Sequence, residues 1–106
     1  MSGFFLYVVI MHFCVYILHS SKLNRYYIGF TENRSQRIEH HNDPISPHKF
    51  TARGAPWELY LAIPCETKDQ GLKLERLIKS KKSAIYIRNM KLYPELIDKL
   101  LKQTSG

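Results

Sequence analysis

Cysteine is scarce in this chain: Cys14 and Cys65 stand far apart and form no CxxC pair. That excludes the disulfide framework of a small secreted scaffold. Both thiols lie among apolar neighbours and read as free and reduced, so a cytoplasmic location is expected. Acidic residues are also few, 9 against 16 lysines and arginines, for a net charge of +7. A site built on a dense carboxylate cluster is therefore excluded. No HExxH pattern occurs, although His40 and His41 are adjacent. Neighbouring helical residues do not share a face, so a zinc site is not expected. No internal repeat or low-complexity tract is present.

One long apolar run exists, residues 3–18 (GFFLYVVIMHFCVYIL). It has no basic residues ahead of it and no small-residue cleavage site behind it, as a signal peptide would require. It is short for a membrane span, is interrupted by His12, and its aromatic and β-branched content favours strand. No stable membrane insertion is expected. A membrane-surface role for this run is the minor alternative, open to a liposome flotation assay. Residues 1–11 read as an apolar N-terminal extension, with Met11 a candidate natural start that N-terminal sequencing would test. Residues 12–103 read as one domain.

What remains is an ordinary globular composition, 44% hydrophobic and 24% charged over 106 residues, enough to bury one core. So basic a small domain suits phosphate or anionic lipid. Residues 13–18 (FCVYIL) and 25–30 (RYYIGF) read as an antiparallel hairpin around a polar turn at 19–24. Gly29 inside the second strand implies a bulge or a close approach of another group. Thr31 reads as the cap of a polar helix over 32–41, with Ile38 its one core anchor. Residues 42–56, with three prolines, read as a long loop of the kind that is often functional. A third strand follows over 57–63, with Trp57 in the core. Thr67 and Gln70 form a capping-box pattern for a helix ending near Lys81, with Leu74, Leu77 and Ile78 as its apolar stripe. Residues 83–89 are left unassigned. Pro94 opens a last helix whose buried face is Leu96, Ile97, Leu100 and Leu101. The expected fold is α+β: a small three-stranded antiparallel sheet flanked by helices, in the order β-β-α-β-α-α.

The stretch 15–41, VYILHSSKLNRYYIGFTENRSQRIEHH, carries the chemistry. It holds Tyr16, then Tyr27-Ile28-Gly29, then Arg37 and His41, and a helical glutamate, Glu75, follows in LKLERLIK. This combination resembles the GIY-YIG nuclease family. It is most similar to the short single-domain branch related to the nuclease domain of the excision-repair endonuclease. Cys14 and Val15 stand where that family has its first glycine and isoleucine. Asn89 is a weak candidate for a polar residue the family carries toward its C-terminus. The resemblance implies that Tyr16, Tyr27, Arg37, His41 and Glu75 are catalytic, with Glu75 holding Mg²⁺ or Mn²⁺.

The residue types suit that chemistry. Phosphodiester hydrolysis needs an activated water, charge stabilisation at phosphorus and help for the leaving oxygen. Alternation along a strand lets Tyr16 point away from Val15 and Ile17, towards Tyr27 on the paired strand. A phenol is a poor base at neutral pH unless cations lower its pKa; Arg37 and a metal on Glu75 are the available cations. The guanidinium fork of Arg37 also fits phosphate oxygens. Mg²⁺ accepts one or two carboxylates together with waters and phosphate. Tyr16 is the preferred general base, with Tyr27 orienting water or contacting phosphate; the two roles are open to exchange. Arg37 then stabilises the transition state and His41 supports the tyrosine or the phosphate.

Each residue has a plainer role. A single strand tyrosine is more often core, and Glu75 has Lys79 at i+4 as a surface ion-pair partner. The basic run Arg76, Lys79, Lys81 and Lys82 is a solvated helix end or a phosphate-backbone contact; we favour the contact for Arg76, Lys79 and Lys82. Lys49 and Arg53, with His48 and Thr51 beside them, are further DNA-contact candidates. The expected function is a metal-dependent DNA endonuclease in repair or recombination, structure-directed or weakly specific. The domain is too small to hold a separate groove reader, so a protein partner is a further source of specificity. The alternative is a non-catalytic nucleic-acid-binding module of the same fold, and oligomeric state is open.

Overall fold

The computed structural model describes residues 13–32 and 53–105. Three strands, β1 (Phe13–Ser20), β2 (Arg25–Glu32) and β3 (Trp57–Cys65), form an antiparallel sheet in the order β2-β1-β3. Three helices follow, α1 (Lys68–Lys81), α2 (Ala84–Leu92) and α3 (Pro94–Thr104). The α+β class and the antiparallel three-stranded sheet agree with the sequence reading. The helix expected over 32–41 falls on residues 33–52, outside the described residues, apart from its start. There the structure corrects the reading: Thr31 and Glu32 belong to β2. Pairing with Cys14 and Phe13 extends the ladder to Glu32, so Thr31 is a strand residue and not a cap.

Alternation along β1 separates the sheet into two faces. Val15 and Ile17 join Ile63, Cys65, Leu74, Ile78, Ile87, Met90 and Leu100 in the main core, under the helices. Tyr16, Leu18 and Trp57 form a second buried group on the other face, with Tyr27 and Leu59 against it. Strand β3 keeps both groups supplied through a register shift between Ile17 and Leu18 of β1. Leu61 pairs with Ile17 and Leu59 with Leu18, leaving Tyr60 as the extra residue. A bulge of this kind lets a strand change which face its side chains serve. Cys14 and Cys65 sit on opposite faces by the same parity and are both free and buried.

Helix α1 begins as its sequence predicts. The Gln70 backbone N–H donates to the Thr67 hydroxyl (3.0 Å). The Gln70 side-chain oxygen accepts from the backbone N–H of Glu66 (2.8 Å), one residue earlier than in a standard capping box. Gln70 Nε2 then donates to the Leu101 carbonyl (3.0 Å), tying α1 to α3. Helix α1 ends at Lys82, in the left-handed region at φ 48°. The unassigned residues 83–89 prove to be α2, capped by Ser83, whose hydroxyl accepts from the Tyr86 N–H. No helix among the described residues is long and apolar enough to cross a membrane.

Candidate active site

Tyr16 and Tyr27 come together on the face away from the helices. In the β1–β2 register Tyr16 stands opposite Gly29, and Tyr27 opposite Leu18. The two tyrosines are thus diagonal neighbours, close enough for aromatic side chains to meet. Their ring centroids lie 6.5 Å apart at an interplanar angle of 26°. Tyr16 is fully buried. Its ring and hydroxyl lie over the backbone of Gly29, where any Cβ would collide with them. Gly29 is therefore the close approach its place in the strand implied, and not a bulge: its absent side chain lets the Tyr16 phenol reach across β2. Thr31, two residues along on the same face, is 3% exposed. Among the described residues its hydroxyl has no hydrogen-bond partner.

Tyr27 is held from its other side by Trp57, edge-on with centroids 6.2 Å apart. Gly54 packs under the Trp57 ring and against Leu23, with no room for a Cβ. Ser20 secures this corner: its hydroxyl donates to the Gly54 carbonyl (2.7 Å) and accepts from the Leu23 N–H (3.0 Å). Arg53, exposed beside Gly54, is thereby placed at the Tyr27–Trp57 end of the face.

Glu75 belongs to the other layer. Helix α1 runs antiparallel to the edge strand β2. Lys68 pairs with Glu32 at 2.8 Å, Gly71 rests on the Phe30 ring, and Ile78 and Lys79 share a cleft with Tyr26 and Ile28. Glu75 lies one turn beyond Gly71 on the same flank, between the levels of Phe30 and Tyr26. Its side chain is 20% exposed and pairs with Lys79 at 3.2 Å. The i+4 ion pair that offered the plainer role is thus formed. A pair this close to solvent is weak and exchangeable, worth about 0–1 kcal/mol.

Arg76, Lys79 and Lys82 are exposed along and beyond the end of α1. Lys79 and Lys82 line a cleft with Arg25. Asn89 is half-buried in α2, where its carbonyl accepts from the Tyr93 N–H (2.8 Å). Arg37, His41 and Lys49 lie outside the described residues. Arg25 and Tyr26, as parts of a cleft, are features that the sequence reading missed. The RYY triplet was the one signal for both, and the cleft needs α2 in place to exist. Among the described residues no three His, Cys, Asp or Glu side chains gather as a metal cage. Burial pushes the Cys14 thiol up to about 12 and the Cys65 thiol up to about 11. Both are inert as nucleophiles at neutral pH.

A two-tyrosine face built over a strand glycine, with a glutamate helix along the edge strand, defines a nuclease fold of the GIY-YIG class. The chain belongs to that family: the GIY-YIG catalytic domain model matches residues 12–91. Its class of chemistry is accordingly phosphodiester hydrolysis. A named relative is the "Structure-specific endonuclease subunit SLX1 homolog" of Cryptosporidium parvum (strain Iowa II), 33% identical over 54 residues. That match takes in 50% of this chain and 13% of the relative's length. No solved structure matches.

Proposed function

We propose that this chain is a metal-dependent endonuclease domain that hydrolyses DNA phosphodiester bonds, choosing its substrate by shape rather than by base sequence. The observation that carries the reading is the Tyr16–Tyr27 pair seated over Gly29 in a chain of the GIY-YIG family. The matched relative's name, a structure-specific endonuclease subunit, supports both the choice by shape and a partner protein that confers specificity. Repair or recombination in a reducing, cytoplasmic compartment fits a basic domain with two buried free thiols. A single nuclease unit over residues 12–103 is part of this proposal.

Tyr16 acts as general base towards water, with Tyr27 orienting it or holding phosphate. Burial fixes the Tyr16 ring, so its hydroxyl needs no search for its working position. Arg37 stabilises charge on the phosphoryl oxygens and His41 supports the phenol or the phosphate. On this reading Glu75 completes the group from its place on α1, alongside β2. It holds Mg²⁺ or Mn²⁺ as the one protein carboxylate, a donor set that suits a hard ion keeping waters and phosphate as its other ligands. Half-buried beside an exchangeable Lys79, it fits that duty. When bound, such an ion stabilises negative charge on the phosphate and the leaving oxygen. Arg53, Arg76, Lys79 and Lys82, with Lys49, contact the backbone.

The test is a panel of nicked, flapped, branched, single-stranded and continuous duplex DNA, with and without Mg²⁺ or Mn²⁺, run beside Glu75→Ala. Metal-dependent cleavage of branched substrates, lost in the variant, is expected. Salt-sensitive binding with no cleavage of any substrate would instead establish a non-catalytic binding module.

A further inference from the structure

A cleft of about 350 Å³ opens between the start of β2, the end of α1 and the start of α2. It lies off the tyrosine face. Its volume falls in the range of small-ligand pockets, about 300–1,000 Å³. Three cations, Arg25, Lys79 and Lys82, line it, and all three are exposed to solvent. Its floor is apolar, made by Ile28, Ile78 and Ile87. One wall is Tyr26, an aromatic ring held in place from behind. Tyr60 packs edge-on against Tyr26 at 5.0 Å, and His19 tilts against it at 4.9 Å. Tyr60 is itself covered by the Lys91 ammonium at 4.4 Å.

A cation rim over an aliphatic floor with a fixed aromatic wall is a two-part recognition surface. Inorganic phosphate would use the rim alone. A continuous duplex presents phosphates but keeps its base faces stacked inside, away from a concave floor. An unpaired nucleotide presents both parts: a phosphate for the cations and a base for Tyr26 and the isoleucines. We propose that this cleft takes one unpaired nucleotide of a single-stranded DNA segment, its base against Tyr26 and its phosphate on Arg25, Lys79 and Lys82. Lys79 also contacts Glu75. A strand leaving the cleft is therefore led towards Glu75, which makes a single-stranded branch next to the cut the feature the domain selects. The inference deepens the nuclease reading and rests on it for the word DNA.

The test separates binding from cleavage. Fluorescence anisotropy of a labelled eight-residue oligothymidylate is measured without divalent metal on the full chain. Two variants accompany it: Tyr26→Leu, which keeps an apolar side chain, and Ala84→Trp, which fills the cleft from an exposed position on its lining. Each is expected to weaken binding by roughly tenfold or more with an unchanged circular dichroism spectrum. In the unaltered chain, the oligomer is expected to shift the methyl NMR signals of Ile28, Ile78 and Ile87. Unmoved methyl signals, or wild-type affinity in both variants, would overturn the cleft, as would equal competition by a duplex of the same length. Should a variant fold poorly, the methyl shifts decide alone. Cleavage of branched DNA by a chain that fails these binding tests would leave the nuclease reading standing and remove only the cleft. Cleft-dependent binding without any cleavage would do the reverse.

Discussion

On one side of the sheet, aliphatic side chains from β1, β3 and all three helices interlock in a continuous core. On the other, Tyr16, Leu18 and Trp57 form a smaller buried cluster among the described residues, with Cys14, Ser20 and Thr31 buried on the same face and Tyr27 half-covered beside them. The first side is filled by shape and apolarity, and its members exchange for others of like volume at modest cost. The second side is dominated by rings that carry polar atoms, Tyr16, Tyr27 and Trp57, and its glycines, Gly29 and Gly54, each lie directly under one of them. A face assembled that way fixes where hydroxyls sit, a task apolar packing cannot perform. Apart from Glu75, which α1 contributes from the helix side, stability and chemistry are thus divided between the two sides, and substitutions should separate them.

The largest expected effect is on catalysis. Glu75→Ala should lower cleavage of branched DNA by roughly 100- to 1,000-fold with an unchanged melting curve. Its helical neighbour Leu74 should behave oppositely. Leu74→Ala empties a fully buried position and should cost about 2–5 kcal/mol in denaturant melts, with normal turnover per folded molecule. The glycines sharpen the comparison further. Gly29→Ala pushes the Tyr16 ring off its seat, and a misplacement of about 1 Å is enough for a loss of roughly 100-fold in kcat. Gly71→Ala makes an equivalent collision with the Phe30 ring on the helix side. It should cost about 1–3 kcal/mol of stability and leave kcat within twofold, as single-turnover assays on both variants would reveal.

The thiols give a smaller effect, one on each face. Burial raises both in the folded chain from the ordinary 9.0, Cys14 to about 12 and Cys65 to about 11. The unfolded chain therefore loses these protons first as pH rises. The stability they confer is whole below pH 9 and drains away as pH climbs through 11 to 12. Each thiol accounts for about 1 kcal/mol of loss by pH 10. Equilibrium melts of Cys14→Val and Cys65→Val should show a shallower decline between pH 8 and 10 than the unaltered chain. The smallest effect belongs to Lys68–Glu32, an exposed pair between α1 and β2. A double-mutant cycle should return about 0.2–1 kcal/mol, vanishing at high salt.

Much of this architecture was legible beforehand, and the reasons are local. The hairpin, the third strand and the helix from Thr67 announced themselves through period, turn residues and a cap. Gly29 signalled a close approach because glycine weakens a strand interior and is kept there where another group needs the room. Thr31 misled, since a threonine before a polar run looks like a cap; only cross-strand pairing with Cys14 reveals it as strand. Helix α2 was hidden because Ile85, Leu92 and Tyr93 are exposed, which blurs the apolar stripe that marks a buried helix face. The cleft was hidden for a deeper reason: Arg25, Lys79 and Ile87 are far apart in sequence and become neighbours only when three elements pack. The tyrosine pair was legible through spacing, whereas the position of Glu75 along β2 depends on the direction in which α1 crosses the sheet.

Glu75 sits on α1 between Leu74 and Ile78, residues the core holds almost completely out of water. A helix anchored on both sides of a side chain cannot fray locally to let that side chain drift. Amide hydrogens around Glu75 should then exchange only through whole-molecule opening, at the same rate as those of β1. The carboxylate inherits its stillness from the oily stripe beside it.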